Sequence, residues 1–218
     1  MAKSVLYVAF HYPPIQMSSG VHRSLVFSRY LAAQQLDVTV LTVHPRAYLS
    51  INPQQPTPDG VKVQRCFALD TARHLTIKGR YPGVLAQPDR WVSWLPAAVW
   101  HGYRALKGKP DAVIISTYPI ATAHIIGYLL HRLTGKPWLV DLRDPMLQDN
   151  YPADPLRKKI FRWIEQKIIR HASAAVLTSP GAVALYQARY PALPANFWQY
   201  IPNGYDEAVF TDLPDWPA

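Results

Sequence analysis

The stretch "LVDLRDPM" (residues 139–146) sets three charged side chains, Asp141, Arg143 and Asp144, directly behind an apolar run that begins at Pro137. Side chains alternate faces along a strand, so Asp141 and Arg143 share one face while Leu142 and Asp144 share the other. Two chemistries fit. An Asp141–Arg143 interaction can brace the strand exit as a purely structural device. Asp144, at the exit itself, can hydrogen-bond a hydroxylated substrate or act as a base. Three further segments carry polar groups of the same kind. "HYPPIQMSSGVHR" ends in Ser18, Ser19 and Gly20 at the start of a helical pattern, and Arg23 follows one turn later. Free amides at a helix N-terminus attract an anion, and glycine lets a phosphate come close; serine capping of the helix is the competing reading. Arg23 either meets such an anion or is solvated. In "STYPIATAH", Ser116, Thr117 and Tyr118 either line a cleft or cap the next helix. In "IPNGYDEAVF", Asn203-Gly204 is a turn signal.

Other chemistries find little support. The eight histidines include no H-x-x-x-H pair, and a single cysteine, Cys66, cannot build a zinc site. His124 and His131 share a helix face, where packing is the better explanation than ligation. No G-x-S-x-G elbow occurs, and the 18–20 segment is neither G-x-G-x-x-G nor a Walker A sequence. One cysteine allows no internal disulfide and agrees with a reducing compartment. The start, "MAKSVLYVAFHYPP", lacks the apolar core and cleavage site of a signal peptide. No stretch approaches the ~20 apolar residues of a membrane span. The chain reads as soluble and cytoplasmic.

The elements that must position these groups alternate between strand and helix. Strands are expected at 4–10, 37–43, 61–67, 111–117, 137–143, 174–179 and near 197–202, and helices over 94–107, 120–134 and 155–171 and from Pro180. Val21, Leu25, Ala32 and Leu36, widened by Phe27 and Leu31, place another helix between the first two strands. Residues 45–60 and 70–93 read as irregular loops. This order predicts an α/β fold: a Rossmann-like, doubly wound, mostly parallel sheet with helices on both faces. Ligands of such sheets sit outside the carboxyl ends of the strands, where all four polar segments fall. On residues alone, a standalone nucleotide- or anion-binding module of this fold remains a rival to an enzyme.

Taken in order, "YPPIQMSSGVHRSLVFSRYLAAQQLDVTVLT", "PDRWVSWLPAA", "PDAVIISTYPIATAHIIGYLLHRLTGKPWLVDLRDPM", "AAVLTSPGAVALY" and "IPNGYDEAVF" resemble the amino-terminal domain of family-four glycosyltransferases, which have the two-domain GT-B fold. The resemblance spans nearly the whole chain and implies the acceptor-binding half of a retaining hexosyltransferase that serves cell-envelope polysaccharide synthesis. Its donor is a nucleotide-sugar, its acceptor a glycan or lipid-linked molecule, and it needs no cofactor and no obligatory metal. Ser19 and Gly20, with Arg23 nearby, match the loop that approaches the donor diphosphate. Tyr118, Asp144 and Asn203 fall at the acceptor cleft, with Asp144 the catalytic candidate and Asp141 and Arg143 structural at its edge. Two features depart from the family. Ser19-Gly20 stands where members often have Gly-Gly, and "STYP" occupies a loop where some relatives carry a histidine. The family's second domain, which binds most of the nucleotide-sugar, is expected to lie outside these 218 residues, so the chain is expected to be inactive alone.

The formal net charge of +9 is concentrated. Residues 73–109 hold seven cations against Asp89 alone, interleaved with Tyr81, Trp91, Trp94, Trp100 and Tyr103. Residues 154–171 hold six against Asp154 and Glu165, around a stripe of Leu156, Ile160, Trp163, Ile164 and Ile168 that is expected to pack on the sheet. Such patches point to an acidic partner. An anionic membrane surface, reached peripherally from the cytoplasmic side, or a lipid phosphate fits best; no nucleic acid is expected, since no recognition motif is present.

Overall fold

The computed structural model describes residues 4–16 and 19–204. The β-branched and apolar runs form seven strands: β1 (Ser4–Val8), β2 (Asp37–Val43), β3 (Val61–Cys66), β4 (Val113–Thr117), β5 (Trp138–Arg143), β6 (Ala174–Leu177) and β7 (Trp198–Tyr200). All neighbours pair in parallel, in the order β3-β2-β1-β4-β5-β6-β7. The chain winds outward from β1 to β3, then crosses back to β4 on the other side of β1. At this reversal the connections leaving β1 and β4 diverge, and a crevice opens between them at the carboxyl edge.

Alternation along β1 shows how the sheet is covered. Val5 and Tyr7 face α1 (Ser19–Ala33), which contributes Leu25, Phe27 and Leu31. Leu6 and Val8 join the opposite, larger core, where α3 (Trp94–Leu106), α4 (Thr122–Thr134) and α5 (Pro155–His171) pack. Helices thus cover both faces, as expected for this fold class. Their ends follow local chemistry. Asp154 Oδ1 accepts from Arg157 N at 2.8 Å with Pro155 in the first turn of α5. Ser179 Oγ accepts from Ala182 N ahead of α6 (Pro180–Arg189). Gly135, at φ +68°, ends α4 in the left-handed conformation.

One contact sets the distance between α4 and the sheet. A Cβ on Gly127 would lie 2.5 Å from Trp138 Nε1 and 3.0 Å from Ser116 Oγ, so only glycine admits the approach. Beneath it Ser116 Oγ accepts from Trp138 Nε1 at 2.8 Å and bonds His124 Nδ1 at 2.8 Å. His124 is therefore a packed core residue, and burial pushes its pKa down to about 3.

Three expectations change. The segment 70–93 contains a helical turn, α2 (Thr71–His74), capped by buried Asp70. On α5 the buried positions are Phe161, Ile164, Glu165 and Ile168, whereas Leu156 and Trp163 stay half-exposed. Glu165 takes an inward place because Tyr186, Tyr190 and Arg189 all donate to its carboxylate, at 2.5, 2.8 and 3.2 Å. The cations of 73–109 do not form one face, because α3 carries the chain from the carboxyl to the amino edge. Lys109 there pairs with Asp37 at 2.8 Å.

The buried histidine makes stability depend on pH. Its native pKa lies below the ordinary 6.5, so as pH falls through 6.5 the unfolded chain takes up a proton that the native state refuses. Stability is full above that value and declines toward about pH 3, by ~1.4 kcal/mol per pH unit for one such group. Urea unfolding of His124→Gln across this range is expected to show a shallower decline than the parent; parallel slopes would mean that His124 charges freely in the native state.

Candidate functional site

The four polar segments meet in one buried network below the crevice. Its centre is Asp141, 2% exposed. Arg23, from the second turn of α1, donates to it from Nη2 at 2.8 Å and from Nε at 3.1 and 3.3 Å. Thr117, at the end of β4, donates from Oγ1 at 2.7 Å. Arg143 Nε lies 3.5 Å from Asp141 Oδ2 and donates to Thr117 Oγ1 at 3.0 Å. Its Nη2 reaches the carbonyl of Gly20 at 3.3 Å and Ser24 Oγ at 3.4 Å. Arg23 Nη1 completes the set by donating to Pro202 O and Asn203 Oδ1 at 3.1 and 3.3 Å.

Arg23 is thus neither solvated nor free: it is 6% exposed and Asp141 is its main partner. Asp141 and Arg143 do meet, but the closer cation is Arg23, 118 positions away. Arg143 adopts φ +62°, and the β5–β6 register shifts between Asp141 and Arg143. This irregularity turns the guanidinium back under the sheet edge, and simple strand alternation does not describe it.

Gly20 is glycine for a reason other than phosphate access. A Cβ there would lie 2.6 Å from His11 Nδ1 and 3.1 Å from Arg143 Nη1. The space is filled by the imidazole of the β1 loop. Burial, with the Arg143 charge adding, lowers the His11 pKa to about 4. His11 is a neutral ring at the crevice, and Nδ1 has no hydrogen-bond partner among the described residues. Sequence reasoning passed over it, although it is the first residue of the quoted loop. Ser19 opens α1; its side chain lies outside the described residues, as do Ser18 and the stretch 205–210.

Around the network sit the more accessible groups. Ser116 and Thr117 are buried rather than cleft-lining, and neither caps α4. That role falls to Asp89, which accepts from Thr122 N at 2.8 Å and Thr122 Oγ1 at 2.9 Å. Tyr118 is 8% exposed; burial foremost, then Tyr151 and the charges of Asp89 and Asp144, raise its pKa. Asp144 is exposed just beyond β5, with Thr178 Oγ1 3.5 Å from Oδ1. Asn203 is exposed too. Asp144 keeps acceptor capacity beyond its single long contact with Thr178, and a helix N-terminus such as that of α1 offers backbone amides to an anion.

Residues 20–204 match the family described as "Glycosyl transferase 4-like domain". Among solved structures, Anabaena Alr3699/HepE, determined in complex with UDP-glucose, superposes with a TM-score of 0.55 at 12% identity. The alignment covers 95% of this chain and 46% of that one, so the chain spans about half the length of this structural neighbour. No curated protein sequence matches.

The network and the exposed carboxylate should respond differently to neutralisation. Asp141→Asn leaves two buried guanidiniums without a counter-charge and is expected to cost about 3 kcal/mol in urea unfolding. Asp144→Asn removes a solvated charge and should stay within about 0.5 kcal/mol of the parent. Equal losses in the two variants would contradict this division.

Proposed function

The chain belongs to the glycosyl transferase 4-like family, and from that membership we propose that it forms the acceptor-side half of a retaining glycosyltransferase. The reaction moves a sugar from a nucleotide-sugar to a glycan or lipid-linked acceptor. One observation carries the reading: two buried guanidiniums, Arg23 and Arg143, stand against one carboxylate, Asp141, beneath the N-terminal end of α1. An uncancelled positive charge and a helix N-terminus, set together at the reversal point of a doubly wound sheet, favour a diphosphate. His11, being neutral, adds no further charge. The donor diphosphate then approaches the backbone amides of Ser19 and Gly20. Arg23 and Arg143 act through their field and do not contact it.

On the other side of the crevice Tyr118 and Asn203 flank the acceptor, and Asp144 receives the hydrogen bond of its reacting hydroxyl. During transfer the bond from the anomeric carbon to the diphosphate oxygen breaks. A bond from that carbon to the acceptor oxygen forms on the same face, and the hydroxyl proton of the acceptor passes to the Asp144 carboxylate. A second α/β domain supplies most of the nucleotide contacts and closes over the crevice, which excludes water and fixes the reacting atoms. The share of the structural neighbour covered by this chain, 46%, supports that division.

Turnover of a nucleotide-sugar by the full-length polypeptide, with the anomeric configuration of the product read by NMR, tests the reading. Asp144→Asn is expected to lower turnover at least ~10-fold, since general-base roles contribute about 10²–10⁴, with an unchanged melting temperature. The 218-residue chain alone should transfer nothing. Full activity in Asp144→Asn removes that residue from the mechanism, and robust transfer by the isolated chain overturns the two-domain arrangement.

A further inference from the structure

The carboxyl edge beyond β2 and β3, to one side of the crevice, has a surface that the transfer reaction does not use. Two segments build it, 44–51 and 67–85. Arg73 fastens them together by donating from Nη1 to Tyr48 O at 2.6 Å. Between them lies a cavity of about 370 Å³ lined by His44, Arg46, Arg65, Phe67, Leu69 and His74, among others. Large apolar side chains stand out from the same segments: Leu49, Phe67, Ile77 and Val84 are 69, 61, 80 and 67% exposed.

The charges on this surface have one sign. Arg46, Arg73, Lys78 and Arg80 are exposed. The only carboxylate in either segment, Asp70, is fully buried, where it caps α2 and faces Arg90 at 3.5 Å. Arg46, Lys78 and Arg80 form no ion pair among the described residues. The sharpest feature is the turn at 77–80. Ile77 and Arg80 exchange backbone hydrogen bonds at 2.9 and 3.0 Å. Lys78 and Gly79, at φ +50° and +74°, form the tip. The Ile77 side chain is thereby held out in solvent at the start of a turn that carries two cations, Lys78 and Arg80.

We propose that this face docks on an anionic bilayer, with Ile77 and its apolar neighbours entering the headgroup region while Arg46, Lys78 and Arg80 meet lipid phosphates. Exposed apolar groups of this extent mark an interaction site. Protein interfaces are depleted in Lys and draw on flat aromatic anchors. Here three aliphatic tips and one aromatic, Phe67, stand among Lys and Arg with no exposed carboxylate in either segment. Lys78 sits at the most protruding turn beside Ile77, and together these groups have the composition of an interfacial membrane element. The surface shares the carboxyl edge with the crevice and lies on its β1 side, so docking would bring the mouth of the crevice toward the membrane plane. The inference does not depend on the transferase reading, because binding is measured without substrate.

Co-sedimentation of the 218-residue chain with vesicles of phosphatidylcholine, with and without phosphatidylglycerol, tests it. Binding is expected only with phosphatidylglycerol and should weaken as salt is added. Replacing Lys78 and Arg80 by Gln should reduce partitioning about 25-fold, at roughly 5-fold per cation near the surface. Ile77→Ser should reduce it roughly 10-fold by removing the inserted aliphatic group. Lys107→Gln changes a cation of the same sequence cluster at the opposite edge of the sheet, and should change nothing. Equal binding to both vesicle types, or equal effects of Lys107 and the Lys78–Arg80 pair, would overturn the proposal. So would unaltered vesicle binding by Ile77→Ser.

Discussion

The buried pairing of Asp141 with Arg23 is the constraint on which the candidate site depends. Removing two charges from water is costly, and the attraction between them offsets that cost only when geometry is good and the remaining hydrogen-bonding positions are filled. Here they are filled by groups from every loop at the crevice. Thr117 comes from β4, Arg143 from β5, and Pro202 and Asn203 from the segment after β7, while Arg143 in turn reaches the Gly20 carbonyl of α1. Each polar partner that satisfies the pair also fixes the position of its own loop. The network therefore places four chain segments relative to one another, and no internal disulfide shares that task, since Cys66 is the only cysteine.

The same logic explains why accessible and buried polar groups separate so cleanly at this edge. Asp141, Arg23 and Arg143 saturate one another and are shielded, so they can set a field but cannot exchange protons with a ligand. Asp144 leaves the strand one residue after the register shift and stays in solvent. Of the two carboxylates that flank this strand exit, Asp144 retains unused acceptor capacity while Asp141 does not, which is why the proposed acceptor role falls to Asp144. His11 occupies an intermediate place: it is buried enough to be neutral, with Nδ1 unpartnered beside Gly20.

Much of this was legible in the sequence because it is local. The β-branched runs gave strands within a residue or two of 37–43 and 137–143, and helix 155–171 was bounded by Asp154-Pro155 at one end. The parallel order followed from strand–helix alternation. What was not legible is long-range or depends on a local irregularity. Nothing near Arg23 indicates a partner 118 residues on, and its placement one turn into a helix suggested an anion or solvent. The alternation rule brought Asp141 and Arg143 together on one face but could not foresee φ +62° at Arg143. Gly20 was read for what might approach it from outside, whereas its missing side chain makes room for His11 from within. The α5 stripe held at Ile160, Ile164 and Ile168 but missed Glu165, because a glutamate was counted as polar surface before its three donors on α6 and beyond were known.

Charge shows most plainly why order along the chain and arrangement in space must be kept apart. A cluster of cations at 73–109 suggests one basic face, yet the helix running through it ends at the opposite edge of the sheet, where Lys109 and Lys62 share Asp37. Surface pairs of that kind contribute little and leave little field behind. Near the carboxyl edge Lys78 and Arg80 form no ion pair among the described residues, and they are joined there by Arg46 from a segment that the linear count did not include. Positive charge at this edge therefore has two separate origins. One is buried, fixed by Asp141, and acts on the crevice over short distances in a weakly screened interior. The other is exposed, surrounded by apolar side chains, and is screened by salt within roughly 8–10 Å. Because the two lie on one edge but in different dielectric surroundings, salt can weaken the second without touching the first, and a protein built this way can respond to its surface partner and to its ligand as independent events.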